Sequence, residues 1–362
     1  MLLVIFPNPF GRDASLLADG LPYFLIELIV LFQDKNTIFS VNLRVMKVRM
    51  SILAGICLLA LSCGPRKTAA TVNHPRAFPM AEVPMMITEP QERMVWLGEH
   101  FWDRYTATDS LYYSDSVTVN GVTLEELEKQ VGLFVTLLEQ GAPENGEQAM
   151  LNLYARMEAF QQAHDGANLL PELVRLISLY VYDPNSPVRS EELYRPFTQA
   201  LAGCPLISAL ERERYAREAR LCALNRPGTR AADFRFVDTS GRRHNLHGLK
   251  ADRLLLVFGN PDCHACKELQ ASLENSVELS AAIASRKLKV VDIYIDEDID
   301  AWKAHIPEYP ASWLNGYDPD FVIRTDLLYN VRALPSLYLL SEDKTVLLKD
   351  ATPEQIFTAL GL

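Results

Sequence analysis

Apolar residues recur three and four positions apart through residues 92–224, as in Leu124/Leu127/Val131/Phe134/Val135/Leu138 and Leu151/Tyr154/Met157/Phe160. That spacing places each set on one face of an α-helix. Thr123 ahead of Leu124-Glu125-Glu126 predicts an N-cap with acids in the first turn. Two more helices are expected over 169–182 and 191–202, separated by Asp183-Pro184-Asn185-Ser186-Pro187. A charged helix through 211–224 should stop before Asn225-Arg226-Pro227-Gly228. After Gly228 the period shortens. Residues 234–237 and 242–244 flank Asp238-Thr239-Ser240-Gly241 and predict a hairpin. The run 253–258 is almost wholly apolar, which suits a central strand buried on both faces. A helix from Cys263, another over 277–285 and a strand over 289–295 follow. Residues 336–340 and 345–348 read as an antiparallel pair, and 353–360 as a closing helix capped by Thr352. This order predicts an α/β sandwich preceded by an all-α domain.

The first 63 residues contain two apolar runs of different kinds. Residues 21–32 are interrupted by Glu27 and, at about 12 residues, are too short to span a bilayer. Residues 52–61 follow the basic stretch Met46-Lys47-Val48-Arg49 and end in Ala60-Leu61-Ser62-Cys63. A basic start, an apolar middle and a small residue before a cysteine are the parts of a secretory signal. The end resembles a bacterial lipobox, with Ala60 where Leu is commoner, and that resemblance implies lipidation of Cys63. Residues 1–45 are then expected to be an upstream extension, with Met46 or Met50 the true start, and 46–62 a lipoprotein signal peptide. The alternatives are an N-terminal membrane anchor and a core role for Cys63. Residues 63–91, rich in Pro, Thr, Ala and Met, are expected to form a flexible tether. Residues 92–225 would form the helical domain and 226–362 the α/β domain.

Composition narrows the classes. With 362 residues, 49% hydrophobic and 22% charged, the chain is not a disordered or low-complexity protein. A net charge of −11 argues against a general nucleic-acid-binding surface. His100 and His164 are isolated, which favours solvent-facing or hydrogen-bonded roles over metal ligation. Trp96, Phe101, Trp102 and Tyr105 are expected to be core, or otherwise a partner surface. Beyond the signal, Cys204, Cys222, Cys263 and Cys266 remain, in a compartment where disulfides form. Cys204 and Cys222 fit a disulfide and two buried thiols equally well.

The chemistry concentrates in Cys263-His264-Ala265-Cys266, directly after a buried strand and opening a helix. In an α/β context this spacing reads as a redox dithiol. One helical turn brings the two sulfurs within disulfide reach, and the helix N-terminus favours a thiolate on Cys263. Cys263 is expected to attack substrate, and Cys266, one turn inward, to resolve the mixed disulfide. A zinc ribbon needs a second cysteine pair of matching spacing, and covalent haem attachment needs His where Lys267 stands. A structural disulfide closing so short a loop adds little stability. His264 either steadies the thiolate or faces solvent. No metal and no cofactor are expected.

Residues 228–362 resemble the thioredoxin-like thiol–disulfide oxidoreductases of the bacterial envelope, in the group of TlpA and alkyl hydroperoxide reductase. The likeness rests on the dithiol, on Gly228-Thr229-Arg230-Ala231-Ala232-Asp233-Phe234, and on Tyr329-Asn330-Val331 followed by Leu334-Pro335-Ser336. Ala232 stands where that group usually has Pro. The resemblance implies a cis proline at Pro335 facing the cysteines, with the Leu334 backbone pairing with substrate. His100-Phe101-Trp102-Asp103-Arg104-Tyr105, Tyr182-Asp183-Pro184-Asn185-Ser186-Pro187 and Asn225-Arg226-Pro227-Gly228 extend the likeness to Gram-negative lipoproteins with a helical domain of unknown function. Thioredoxins proper carry a buried carboxylate six residues before the first cysteine. Val257 stands there, so either Asp262 or a water serves or the step is slower. A peroxiredoxin would have Thr where Asn260 stands. The implied function is a membrane-anchored, periplasm-facing enzyme that reduces or exchanges protein disulfides, served by a membrane or periplasmic electron donor. The rival is a binding lipoprotein whose helical domain captures a partner.

Overall fold

A computed structural model describes residues 74–361. The expected upstream extension, the signal segment and Cys63 lie outside the described residues. No helix among the described residues is long and apolar enough to cross a membrane.

The helical half begins with α1 (Pro90–His100), followed by a small hairpin of β1 (Thr118–Val119) and β2 (Val122–Thr123). Then come α2 (Leu124–Glu139), α3 (Pro143–Ala163), α4 (Leu169–Ile177), α5 (Glu191–Ala202) and α6 (Ala209–Cys222). The expected stripe on α2 buries Leu127, Val131, Phe134, Val135 and Leu138, and Thr123 caps it by accepting from the Glu126 amide at 3.2 Å. Ser208 and Glu211 form a capping box that starts α6 two residues before its expected limit. The helix expected over 169–182 is α-helical only to Ile177; Ser178–Tyr182 form a π-helical turn.

Phe101, Trp102 and Tyr105 are buried together, with Trp102 edge-on to Phe134 at 5.6 Å between ring centroids. Trp96 instead stacks on His100 at the margin, and His100 Nδ1 sits 2.8 Å from Asp103. Part of the expected tether belongs to this core. Phe78 is buried against Phe101, Trp102 and Tyr105, and the Arg76 amide donates to the Gly121 carbonyl at 2.7 Å. An aromatic ring in a Pro-rich segment finds an apolar slot, so chain attachment begins well before residue 91. Among the described residues all four cysteines are free, with Cys204 and Cys222 buried in the helical half.

The α/β half opens with the hairpin β3 (Arg235–Asp238) and β4 (Arg243–Asn245), then β5 (Arg253–Gly259), α7 (His264–Asn275), α8 (Val277–Ala284) and β6 (Leu288–Tyr294). It continues with α9 (Ile299–Ala304), β7 (Leu314–Tyr317), α10 (Val322–Thr325), β8 (Ser336–Ser341), β9 (Val346–Lys349) and α11 (Pro353–Leu360). The strands form one seven-stranded sheet in the order β4-β3-β7-β6-β5-β8-β9. β5 is central, parallel to β6 and antiparallel to β8. Side chains alternate across the sheet. Leu254, Leu256 and Phe258 fill one face with Tyr329 and Tyr338, while Leu255 and Val257 meet Leu269, Leu273, Leu279 and Ile356 on the other.

The strand β7, absent from the sequence-based reading, is short and contains Asn315-Gly316. Gly316 is required by close approach: a Cβ there would lie 2.7 Å from both the Phe236 ring and the Val237 carbonyl oxygen. Gly316→Ala should therefore cost about 1–3 kcal/mol through overpacking. Urea unfolding of the variant measures this; an unchanged midpoint would mean that β3 and β7 part without strain.

Candidate active site

β5 ends at Gly259, and four residues, the last of them Cys263, carry the chain into α7. Asn260 fixes this turn. Its Nδ2 donates to Asp296 at 2.6 Å, its Oδ1 accepts from the Asp262 amide at 2.8 Å, and its carbonyl accepts from the Cys263 amide at 3.1 Å. Cys263 is the N-cap of α7, and its Sγ accepts from the Cys266 amide at 3.3 Å. The unsatisfied first-turn amides and the helix dipole thus converge on this sulfur.

The Cys263 thiol also lies within donating distance, 3.5 Å, of the Leu334 carbonyl. The Leu334–Pro335 peptide is cis, and β8 begins at the next residue, with Ser336 paired to Phe258 of β5. Cys263, Cys266, Leu334 and Pro335 thus stand together where the β5–β8 ladder ends. Cys263 and Cys266 are both partly exposed. Burial pushes the Cys266 thiol well above its usual range, and its hydrogen bond with Cys263 adds to the rise.

His264 is 88% exposed, with Nε2 3.3 Å from Glu268, so the structure gives it the solvent-facing alternative. Asp262 is exposed too, lying 3.4 Å from His305 Nε2, and is no buried proton acceptor. A cleft of about 210 Å³ runs beside α7, bordered by Pro261, Lys267, His305 and Tyr309.

The buried carboxylate comes instead from the neighbouring strand. Asp292 of β6 pairs in register with Val257, the position at which thioredoxins proper carry their buried acid. Its side chain lies on the α7 face of the sheet and leans along β5 towards the cysteine turn: a Cβ on Gly259 would sit 3.0 Å from Asp292 Oδ1. Gly259 leaves room for that carboxyl. Asp292 is buried, and desolvation raises its pKa from 3.8 to about 7. Its charge is among the influences that hold the Cys266 thiol protonated. A lone acid inside the apolar run 288–295 was the available signal in the sequence.

A raised folded pKa makes ionisation oppose folding. Stability present below about pH 4 should fall as pH rises towards 7. Asp292→Asn should remove this loss, so the variant should gain on the native protein across that window, by roughly 3–5 kcal/mol at its upper end. Denaturant titrations at several pH values check this, and a gap that does not change with pH would show that Asp292 does not titrate there.

Residues 61–225 match a family described as a domain of unknown function (DUF5106). The chain is similar to a solved thioredoxin-like protein from Bacteroides caccae, at 34% identity over 79% of this chain and 98% of that one, with a TM-score of 0.70. It is 43% identical to the C-terminal domain of an uncharacterized protein from Bacteroides fragilis, over 38% of this chain and 99% of that one, with a TM-score of 0.37. The thioredoxin domain of a thiol-disulfide oxidoreductase from Bacteroides vulgatus is 17% identical over 38% of this chain and 96% of that one, with a TM-score of 0.34. A search of curated proteins found no match. On the similarity that spans both halves, the chain belongs to the thioredoxin-like proteins.

Proposed function

We propose that this member of the thioredoxin-like proteins is a thiol–disulfide oxidoreductase that reduces or exchanges protein disulfides, tethered to a bacterial envelope membrane through Cys63 and facing the periplasm. One observation carries the chemistry: a partly exposed Cys263 sulfur at the start of α7, one turn ahead of Cys266 and 3.5 Å from the carbonyl before a cis proline.

The steps follow from that placement. The Cys263 thiolate attacks one sulfur of a substrate disulfide, forming a mixed disulfide and releasing the other substrate sulfur as a thiolate. Cys266 then loses its proton and attacks the Cys263 sulfur. The substrate's second thiolate leaves, a Cys263–Cys266 disulfide forms, and two electrons have passed to the substrate. A dithiol donor in the envelope restores the reduced pair. Leu334 and Pro335 position the substrate chain, and His264 stands at the rim to contact it. Asp292 is the proton acceptor for Cys266, since a carboxyl titrating near neutrality can take and return a proton at the working pH.

Cys266→Ser should accumulate long-lived mixed disulfides with envelope proteins, because attack survives and resolution does not. Cys263→Ser should form none. In the native protein an alkylating agent should modify Cys263 before Cys266, and Asp292→Asn should slow resolution at least about tenfold. Insulin reduction and trapping on denaturing gels check these outcomes. No insulin reduction and no trapped partners would leave the binding-lipoprotein reading in its place.

The anchor has its own test. Cys63→Ala should move the protein from the membrane to the soluble envelope fraction with a change in gel mobility; unchanged fractionation would remove the lipid from this picture.

A further inference from the structure

Two stretches singled out in the sequence, 182–187 and 225–228, have no part in the dithiol chemistry. Both come to lie against the segment that leads into Pro335. The Asn225 side chain bridges that segment to the domain start, donating to the Leu328 carbonyl at 2.6 Å and accepting from the Ala232 amide at 2.8 Å. The Tyr182 ring, at the end of the π-helical turn, lies 4.4 Å from the Arg332 guanidinium carbon. Glu191, the first residue of α5, reaches Arg332 as well, with a side chain only 2% exposed.

The Glu191 carboxylate is shared among three groups of the α/β half. Its Oε1 accepts from Asn330 Nδ2 at 2.6 Å and sits 3.0 Å from Arg332 Nε, while Oε2 lies 2.6 Å from Lys349 Nζ. Arg332 is also paired with Asp350, and Asp350 lies 3.3 Å from Arg189 of the helical half. Lys349 in turn donates to the Cys222 carbonyl at 2.8 Å and to that of Leu224. A buried charge is tolerated only when paired, and removing one partner strands the others. The cluster therefore holds Asn330 and Arg332 in one arrangement, and Leu334 follows Arg332 by two residues.

We propose that the helical half positions the substrate-pairing loop, with Glu191 holding Asn330 and Arg332 so that Leu334 is presented to an extended protein chain. This rests on the oxidoreductase reading above. It assigns a role to the helical half and a substrate class to the site. A protein disulfide, whose flanking backbone must pair with Leu334, depends on the held loop. A small disulfide with no backbone needs only the cysteines. Glu191 is a positioning residue, acting through Asn330 and Arg332.

The test uses the full chain and Glu191→Gln, with Asn330→Ala as a second variant that leaves the charges balanced should the first not fold. For either, KM for oxidised insulin should rise about fivefold or more, the scale of one lost buried hydrogen bond. Turnover at saturation, the rate with hydroxyethyl disulfide and the alkylation rate of Cys263 should stay within about twofold. Amide hydrogen exchange in 329–335 should quicken about tenfold or more, with no change in 264–275. An unchanged KM for insulin together with unchanged exchange in the loop overturns the proposal. So does a parallel loss with both disulfides, which would make the cluster structural only. If the native protein reduces neither disulfide, the oxidoreductase reading fails, while hydrogen exchange still decides whether Glu191 holds the loop.

Discussion

The pairing of β5 with β8 is the constraint on which the candidate site depends. β5 delivers the cysteine turn at its end, and β8 starts one residue after the cis proline. Phe258 opposite Ser336 is the last pair of that ladder. A slip of one residue would carry the Leu334 carbonyl away from Cys263 and turn every β8 side chain to the wrong face of the sheet. The register is held by burial on both sides, with Tyr338 and Leu340 on one face and Leu337 and Leu339 on the other. The geometry of the candidate site is thus a product of core packing.

Two buried carboxyl groups flank this ladder, and burial raises the pKa of both, but their partners differ. Asp292 sits in a desolvated slot that opposes its charge, which leaves its proton available for exchange. Glu191 is equally enclosed but is held by Asn330, Arg332 and Lys349. The first is suited to moving a proton, the second to fixing a shape. Both approach from outside the elements that bear the cysteines and the proline.

That division explains what the sequence revealed. Local features were legible: the stripe on α2, the cap of α11 by Thr352, the apolar run of β5, the Cys263–Cys266 spacing and the Leu334-Pro335 dipeptide are each written within a few residues. Asp292 was not, because its importance depends on strand order. Only once β6 lies beside β5 does it stand next to Val257 and under α7. Glu191 read as an ordinary acid in a first helical turn, and its partners are more than a hundred residues further along the chain. β7 escaped because four residues containing Asn315-Gly316 carry little strand propensity, and its neighbours supply the order it lacks. Phe78 showed the limit of composition: a Pro-rich stretch reads as tether until one ring finds an aromatic pocket.

The burial of Cys204 and Cys222 has a consequence for a molecule proposed to exchange disulfides. A dithiol built for exchange will attack, or be scrambled with, any thiol or disulfide it can reach. These two sulfurs are enclosed in the helical core, and burial pushes the Cys222 thiol far above its usual range, so almost none of it is the reactive anion. The described cysteines therefore fall into two populations, one partly exposed at the candidate site and one insulated. The insulation is the fold itself, so oxidation of Cys204 or Cys222 would be a lasting mark that the helical core had once come open.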